Sequence, residues 1–133
     1  MIGIVLVTHG KLGHEFLRTA EHIMQAPLKH IRALAIAADD DGEERRAEIA
    51  KCVEEVNSGQ GVVVLVDMFG GTPSNLSISI LKTGEVEVVA GLNLPMLIKL
   101  AKLPEGVTLA EAVDQAQEAA KKYIIVASKV LES

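Results

Sequence analysis

Five consecutive aliphatic residues, Val62-Val63-Val64-Leu65-Val66, lie between the turn-forming Asn57-Ser58-Gly59-Gln60-Gly61 and an aspartate, Asp67. A strand with one wet face alternates apolar and polar side chains. This run is apolar at every position, so both its faces must be buried. A parallel sheet covered by helices on both sides meets that condition, and few other architectures do. Aromatic residues make up only 2% of the chain. The layers must therefore be filled by Val, Ile, Leu and Ala, a mix that suits strands under Ala-rich helices.

The rest of the chain supplies matching parts. Ile2 to Val7 is a β-branched run ending at Thr8-His9-Gly10, and Leu12, Phe16, Leu17, Ala20, Ile23 and Met24 then keep helical spacing until Pro27. Ile31 to Ile36 reads as a second strand. Asp39-Asp40-Asp41 opens a second helix with Ile49, Val53 and Val56 on one face. Carboxylates there satisfy free N–H groups, a role that fits better than cation binding. A short helix after Pro73 carries Leu76, Ile80 and Leu81, and Val86 to Val89 is a fourth strand. Gly91-Leu92-Asn93-Leu94-Pro95 leads into a helix through Leu100. Thr108 and Glu111 have capping-box spacing before a last helix with Leu109, Val113, Ala116 and Ala120 on one face. Tyr123 to Ala127 is a final β-prone run. The expected fold is an open, mainly parallel α/β sheet of four strands with helices on both faces, in one domain spanning 1–133.

Composition narrows the function. A formal net charge of -5 argues against general electrostatic binding of nucleic acid, and Phe16, Phe69 and Tyr123 are too scattered to form a stacking platform. Cys52, the one cysteine, permits no internal disulfide and no cysteine metal cluster; it is read as an inert, buried thiol. The N-terminus has no basic region or cleavage site, and no stretch approaches a membrane span, so a cytoplasmic protein is expected. Nothing matches a Walker lysine motif or a dinucleotide fingerprint, and no cofactor is expected.

In open parallel sheets, ligands bind beyond the carboxyl ends of the strands. That rule brings the His9, Asp67 and Gly91 loops to one end. His9 in such a loop can serve as general base, metal ligand or nucleophile. Asp67 can orient its ring, or can be an ordinary turn or cap residue. Gly70-Gly71-Thr72-Pro73-Ser74-Asn75 reads as an anion cradle, with Thr72 as cap and amides of Ser74 and Asn75 available, or as nothing more than a well-capped helix. A metal-dependent hydrolase using His9 and Asp67 is disfavoured, because a metal site wants three or more ligands and only this pair converges; no metal is expected. His14 and His22 on the first helix and His30 in a turn are read as structural or solvated. Phosphate chemistry without a nucleotide site points to another protein as the donor.

Three segments carry a resemblance: Val7-Thr8-His9-Gly10, Val66-Asp67-Met68-Phe69-Gly70-Gly71-Thr72-Pro73-Ser74-Asn75, and Ala90-Gly91-Leu92-Asn93-Leu94-Pro95-Met96. In their order and spacing the chain resembles the mannose-family enzyme IIA domain of the bacterial phosphoenolpyruvate-dependent sugar phosphotransferase system, over essentially its whole length. The resemblance implies a protein-histidine phosphotransferase. His9 would accept a phosphoryl group from the phosphocarrier HPr and pass it to an enzyme IIB, with Asp67 orienting the ring and Thr72 in the segment beside the phosphohistidine. It also implies a last antiparallel strand exchanged across a homodimer, matched here by Tyr123 to Ala127. Contact with the membrane would be indirect, through the transporter. Met68, Phe69, Leu92, Leu94 and Met96, large side chains in strand-end loops, are expected to include the rim on which HPr and IIB dock. The chain reaches Ser133 without a fused IIB domain, which leaves the acceptor and the sugar unnamed. A regulatory phosphorelay protein of the same family, feeding no transporter, is the alternative. A dihydroxyacetone kinase phosphotransfer subunit is a related reading that the Gly-Gly-Thr-Pro segment fits less well.

Overall fold

The computed structural model describes residues 1–132. Its four strands are β1 (Gly3–His9), β2 (Ile31–Ile36), β3 (Val62–Val66) and β4 (Val86–Ala90), ordered β2-β1-β3-β4 with every pairing parallel. The helices are α1 (Leu12–Met24), α2 (Gly42–Val56), α3 (Thr72–Ile78), α4 (Leu94–Ala101), α5 (Leu109–Lys122) and α6 (Ala127–Leu131). The expected four-stranded parallel sheet is present. None of the helices is long and apolar enough to cross a membrane.

Alternation along the strands divides the core into two layers. Ile4 and Leu6 of β1 join Val63 and Leu65 of β3 on the face covered by α1, α4 and α5, where Ala20, Leu97, Leu100, Ala112 and Ala116 pack against them. Val5 and Val7 point the other way, with Val62, Val64 and Val66, onto Ile49, Val53 and Val56 of α2. All five residues of β3 are fully buried, each contributing roughly 1.5–3 kcal/mol of apolar transfer. Small alanines on α5 let that helix lie close to the sheet, which is how a core almost without aromatics closes.

Helix starts follow the sequence signals with one exception. Asp41 caps α2 by accepting from the Glu43 N–H at 2.9 Å, while Asp40 accepts from the Ala37 N–H at 2.7 Å and from Arg45 at 2.9 Å. Thr108 and Glu111 form a reciprocal capping box at α5. At α3, however, the N-cap is Gly71 rather than Thr72. The Gly71 backbone is extended, its carbonyl accepts the first helical bond from Asn75 at 2.9 Å, and the exposed Thr72 is already inside the helix. Ile80 and Leu81 fall beyond the helix end. Cys52 is half-buried, and burial pushes its thiol pKa up.

Tyr123 to Ala127 forms no strand within the chain. Tyr123 ends α5, residues 124–126 are irregular, and Ala127 begins α6. Ile124, Ile125 and Val126 are 76%, 57% and 54% exposed. Their β-propensity is realised only where a ladder partner is offered.

His30 sits in the turn before β2, with its ring Nε2 buried and unpartnered among the described residues. Burial, and then the nearby amino-terminal charge, lower its pKa. The unfolded chain therefore takes up this proton first as pH falls below about 6.5. Stability should decline on acidification from that point until the folded state also protonates. Thermal melts between pH 7 and 5 should show this fall, with a shallower slope in His30→Gln; an unchanged slope in the variant would assign the fall to other groups.

Candidate functional site

At the carboxyl end of the sheet the strands stop at different heights. The β1–β3 ladder ends at Val7 opposite Val66, while β1 continues beside β2 through Thr8 and His9. The backbone N–H of His9 thus lacks a β3 partner, and Asp67, one residue past the end of β3, supplies one. Its Oδ2 accepts from the His9 N–H at 2.9 Å and lies 2.8 Å from the ring Nδ1. Its Oδ1 accepts from the Met68 N–H at 3.0 Å. Partial burial works to raise the Asp67 pKa, but the bonds from the His9 backbone, the His9 ring and Met68 outweigh it and hold the carboxyl below its usual range. An ionised carboxylate can only accept. The His9 ring must therefore donate from Nδ1, and in the neutral ring Nε2 is then the nitrogen with the free lone pair.

That free edge faces Gly71. A Cβ built there would lie 2.9 Å from Cε1 and 3.0 Å from Nε2 of His9. The Gly71 backbone, at φ -98° and ψ -179°, is one any residue adopts. Glycine is required for proximity, because no other side chain leaves Nε2 clear. The amide of the exposed Thr72 carries no hydrogen bond among the described residues, so the segment beside the ring presents an unsatisfied donor. The third loop closes on the same point, with the Gly91 and Leu92 N–H groups both donating to the Val66 carbonyl at 3.1 Å. His9 itself remains accessible, its side chain 51% exposed against 12% for Asp67.

The structure brings His9, Asp67, Gly70 and Gly71 together and alters other expectations. Ser74 is fully buried, backbone included, with its hydroxyl unpartnered among the described residues, and the Asn75 amide already donates to the Gly71 carbonyl. Met68 and Phe69 are 59% and 75% exposed, as a rim requires, but Leu92 and Met96 lie in the core at 8% and 2%. Both join the core cluster that includes Ala112, Ala116 and Ala120 of α5. Between them Asn93 caps α4 by accepting from the Met96 N–H at 3.0 Å and donates from Nδ2 to the Ala120 carbonyl at 3.0 Å, which ties the start of α4 to α5. Leu94 is half-buried at the mouth of a cleft of about 670 Å³ between α4 and α5, whose lining does not include His9. His14 and His22 are exposed on α1. No group of three or more His, Cys, Asp or Glu side chains that could hold a metal occurs among the described residues. Sequence reasoning passed over Thr8, which is fully buried and accepts a hydrogen bond from the Gly13 N–H at 2.8 Å. A polar residue closing an otherwise aliphatic strand was the available signal.

Residues 3–117 match the family described as the PTS system fructose IIA component. The chain belongs to this family. It is 30% identical, over 99 residues, to the PTS system mannose-specific EIIAB component of Escherichia coli, a match that covers 74% of this chain and 30% of that protein. It is 29% identical over 83 residues to the PTS system fructose-specific EIIA component of Bacillus subtilis, covering 62% of this chain and 57% of that one. The chain thus spans less than a third of the mannose-specific relative. Among solved structures, the phosphotransferase system component EIIA from Streptococcus agalactiae superposes with a TM-score of 0.82 at 25% identity, covering 97% of this chain and 99% of that one. The PTS IIA protein associated with the fucose utilization operon of Streptococcus pneumoniae gives 0.80 at 28% identity, over 97% and 95% of the two chains. The family is that of IIA components of the sugar phosphotransferase system, which are phosphotransferases. Within this IIA fold, Gly71→Ala should displace the His9 ring and weaken its bond to Asp67 while the backbone tolerates the methyl group. The ¹⁵N resonances of the His9 ring should lose the pattern of a protonated Nδ1, with little change in melting temperature. Unaltered ring resonances would show that the ring has slack this geometry denies it.

Proposed function

We propose that this chain is a phosphoryl carrier in which Nε2 of His9 accepts a phosphoryl group from phosphorylated HPr and delivers it to an enzyme IIB. The observation that carries the reading is the 2.8 Å contact between Nδ1 and an ionised Asp67, with Nε2 left open at Gly71. In the accepting step the Nε2 lone pair attacks phosphorus, a new N–P bond forms, and the N–P bond to the donor imidazole breaks. The positive charge that develops on the His9 ring is delocalised toward Nδ1, whose proton stays on the bond to Asp67. The incoming oxyanions meet the unbonded amide and the hydroxyl of Thr72 beside the Gly70-Gly71 backbone, and donors so placed act where charge arrives. In delivery the N–P bond to Nε2 of His9 breaks as a new bond forms between phosphorus and the acceptor group of IIB, and Nε2 recovers its lone pair. Exposure of His9 suits a donor and an acceptor that are proteins, and Met68 and Phe69 beside it offer apolar docking surface.

Labelling with phospho-HPr tests the assignment. His9→Ala should abolish incorporation, whereas substitutions of His14 and His22 should leave it intact. Asp67→Asn should keep the site but slow transfer by about 10²-fold, the cost of misplacing a reacting group by about 1 Å. The label should be acid-labile and base-stable, as phosphohistidine is. A base-labile label that survives His9→Ala would transfer the role to a carboxylate.

A homodimer is part of the same proposal. Ile124, Ile125, Val126, Val130 and Leu131 are all more than half exposed, and the outer edge of β4 has no strand beside it among the described residues. Both are liabilities that a second copy, exchanging residues 123–127 as an antiparallel strand, would remove. Light scattering of the full chain should give twice the 14.1 kDa chain mass. Deletion from Tyr123 onward should cause aggregation or unfolding; a stable, folded monomer after truncation would rule out the exchange.

A further inference from the structure

We propose that Thr8 is a positioning residue for His9, fixing the backbone from which the nucleophilic ring is aimed; this rests on the reading of His9 as the phosphoryl acceptor. Thr8 is fully buried at the end of β1. Its Oγ1 accepts from the Gly13 N–H at 2.8 Å and is 3.3 Å from the Gly10 carbonyl, to which the hydroxyl proton is given. Helix α1 has no side-chain cap of its own, since Lys11 occupies the N-cap position without one. The hydroxyl of Thr8, five residues before Gly13, takes that place and satisfies an amide of the first turn. One side chain thereby staples the last residues of β1 to the start of α1.

His9 and Gly10 lie inside that staple. Gly10 turns the chain in the left-handed region at φ +54°, and its N–H donates to the Ile36 carbonyl of β2 at 3.0 Å. The segment is therefore held by Thr8 on the α1 side, by β2 on another and by Asp67 on the third. Gly13 sets the closeness of the staple. A Cβ on Gly13 would sit 3.2 Å from both Leu6 Cβ and Thr8 Oγ1, and 3.3 Å from Thr8 Cγ2. The helix start approaches β1 closely enough that a Cβ would crowd its neighbours, and at that separation the hydroxyl reaches the amide. Freed from the staple, the His9 backbone can swing away from Asp67 Oδ2. That one oxygen receives both donors of the residue, so movement of the backbone costs the ring contact too.

Thr8→Val keeps the shape and removes the hydroxyl, while Thr8→Ser keeps the hydroxyl. Single-turnover transfer from phospho-HPr, the ¹⁵N resonances of the His9 ring and the melting temperature should be measured on each. Thr8→Val should slow transfer at saturating donor by ~10-fold or more, as expected for a loosened reacting group, with half-saturation unchanged. Its ring resonances should shift toward those of a free, averaging imidazole. Thr8→Ser should recover most of the rate and the ordered ring pattern. Gly13→Ala provides a second handle if Thr8→Val does not fold. Alanine raises helix propensity by about 1 kcal/mol over glycine, so disorder of the ring in that variant cannot come from a weaker α1. Wild-type rates and ring resonances in the folded variants, with only the melting temperature lowered, would make Thr8 purely structural and overturn the proposal. Failure of the unmodified chain to take label would sink the phosphoryl-acceptor reading instead, while the ring resonances would still decide the placement by Thr8.

Discussion

One carboxylate oxygen, Oδ2 of Asp67, receives both the backbone N–H and the ring Nδ1 of His9. The backbone bond stands in for the ladder hydrogen bond that β3, ending at Val66, does not offer to a strand running on to His9. The ring bond fixes which nitrogen carries the proton. Each reinforces the other, since a ring held at Nδ1 cannot rotate without pulling on the strand end, and the strand end cannot drift without breaking the ring contact. The site is built from the mismatch in strand length, and the sheet order that places β3 beside β1 is what makes the mismatch available.

Around this pair the structure keeps atoms out as carefully as it brings them in. Gly71 clears space at Nε2, and Gly13 allows α1 to close on β1. Both are non-left-handed positions, where glycine serves close approach rather than an unusual dihedral. The cleft between α4 and α5 is lined by neither His9 nor Asp67. An enclosed pocket is what a small substrate needs. A half-exposed histidine on the rim of a sheet is what a protein partner needs, and the exposed Met68 and Phe69 beside it agree with that mode of contact.

Much of this was legible in the order of residues. β3 lies where its aliphatic run places it, because an unbroken apolar stretch has only the interior of a covered sheet to occupy. The caps at Asp41 and Thr108 were readable because capping is a contact between residues two or three apart. The cap of α3 lies one position before the expected one, at Gly71, where the chain passes beside the His9 ring. Leu92 and Met96 look like loop and helix-start residues free to face a partner. Their burial comes from packing against α5, to which Asn93 is tied by its bond to Ala120, 27 residues away, and no local pattern contains that contact.

The sequence by itself determined the layer architecture, the strands and their buried faces, the convergence of three loops at one end, and the kinship of the chain. These follow from periodicity, from turn chemistry and from the rule that parallel sheets bind at their carboxyl ends. Only the tertiary structure decided which nitrogen of His9 is free, that Gly71 is needed for space, that Thr8 rather than Lys11 satisfies the first turn of α1, and that the β-prone run after Tyr123 stays unpaired in the single chain. The reason is physical: propensity and pattern act over a few residues, whereas a tautomer, a close approach and a strand's partner depend on groups that only folding brings within about 3 Å of one another.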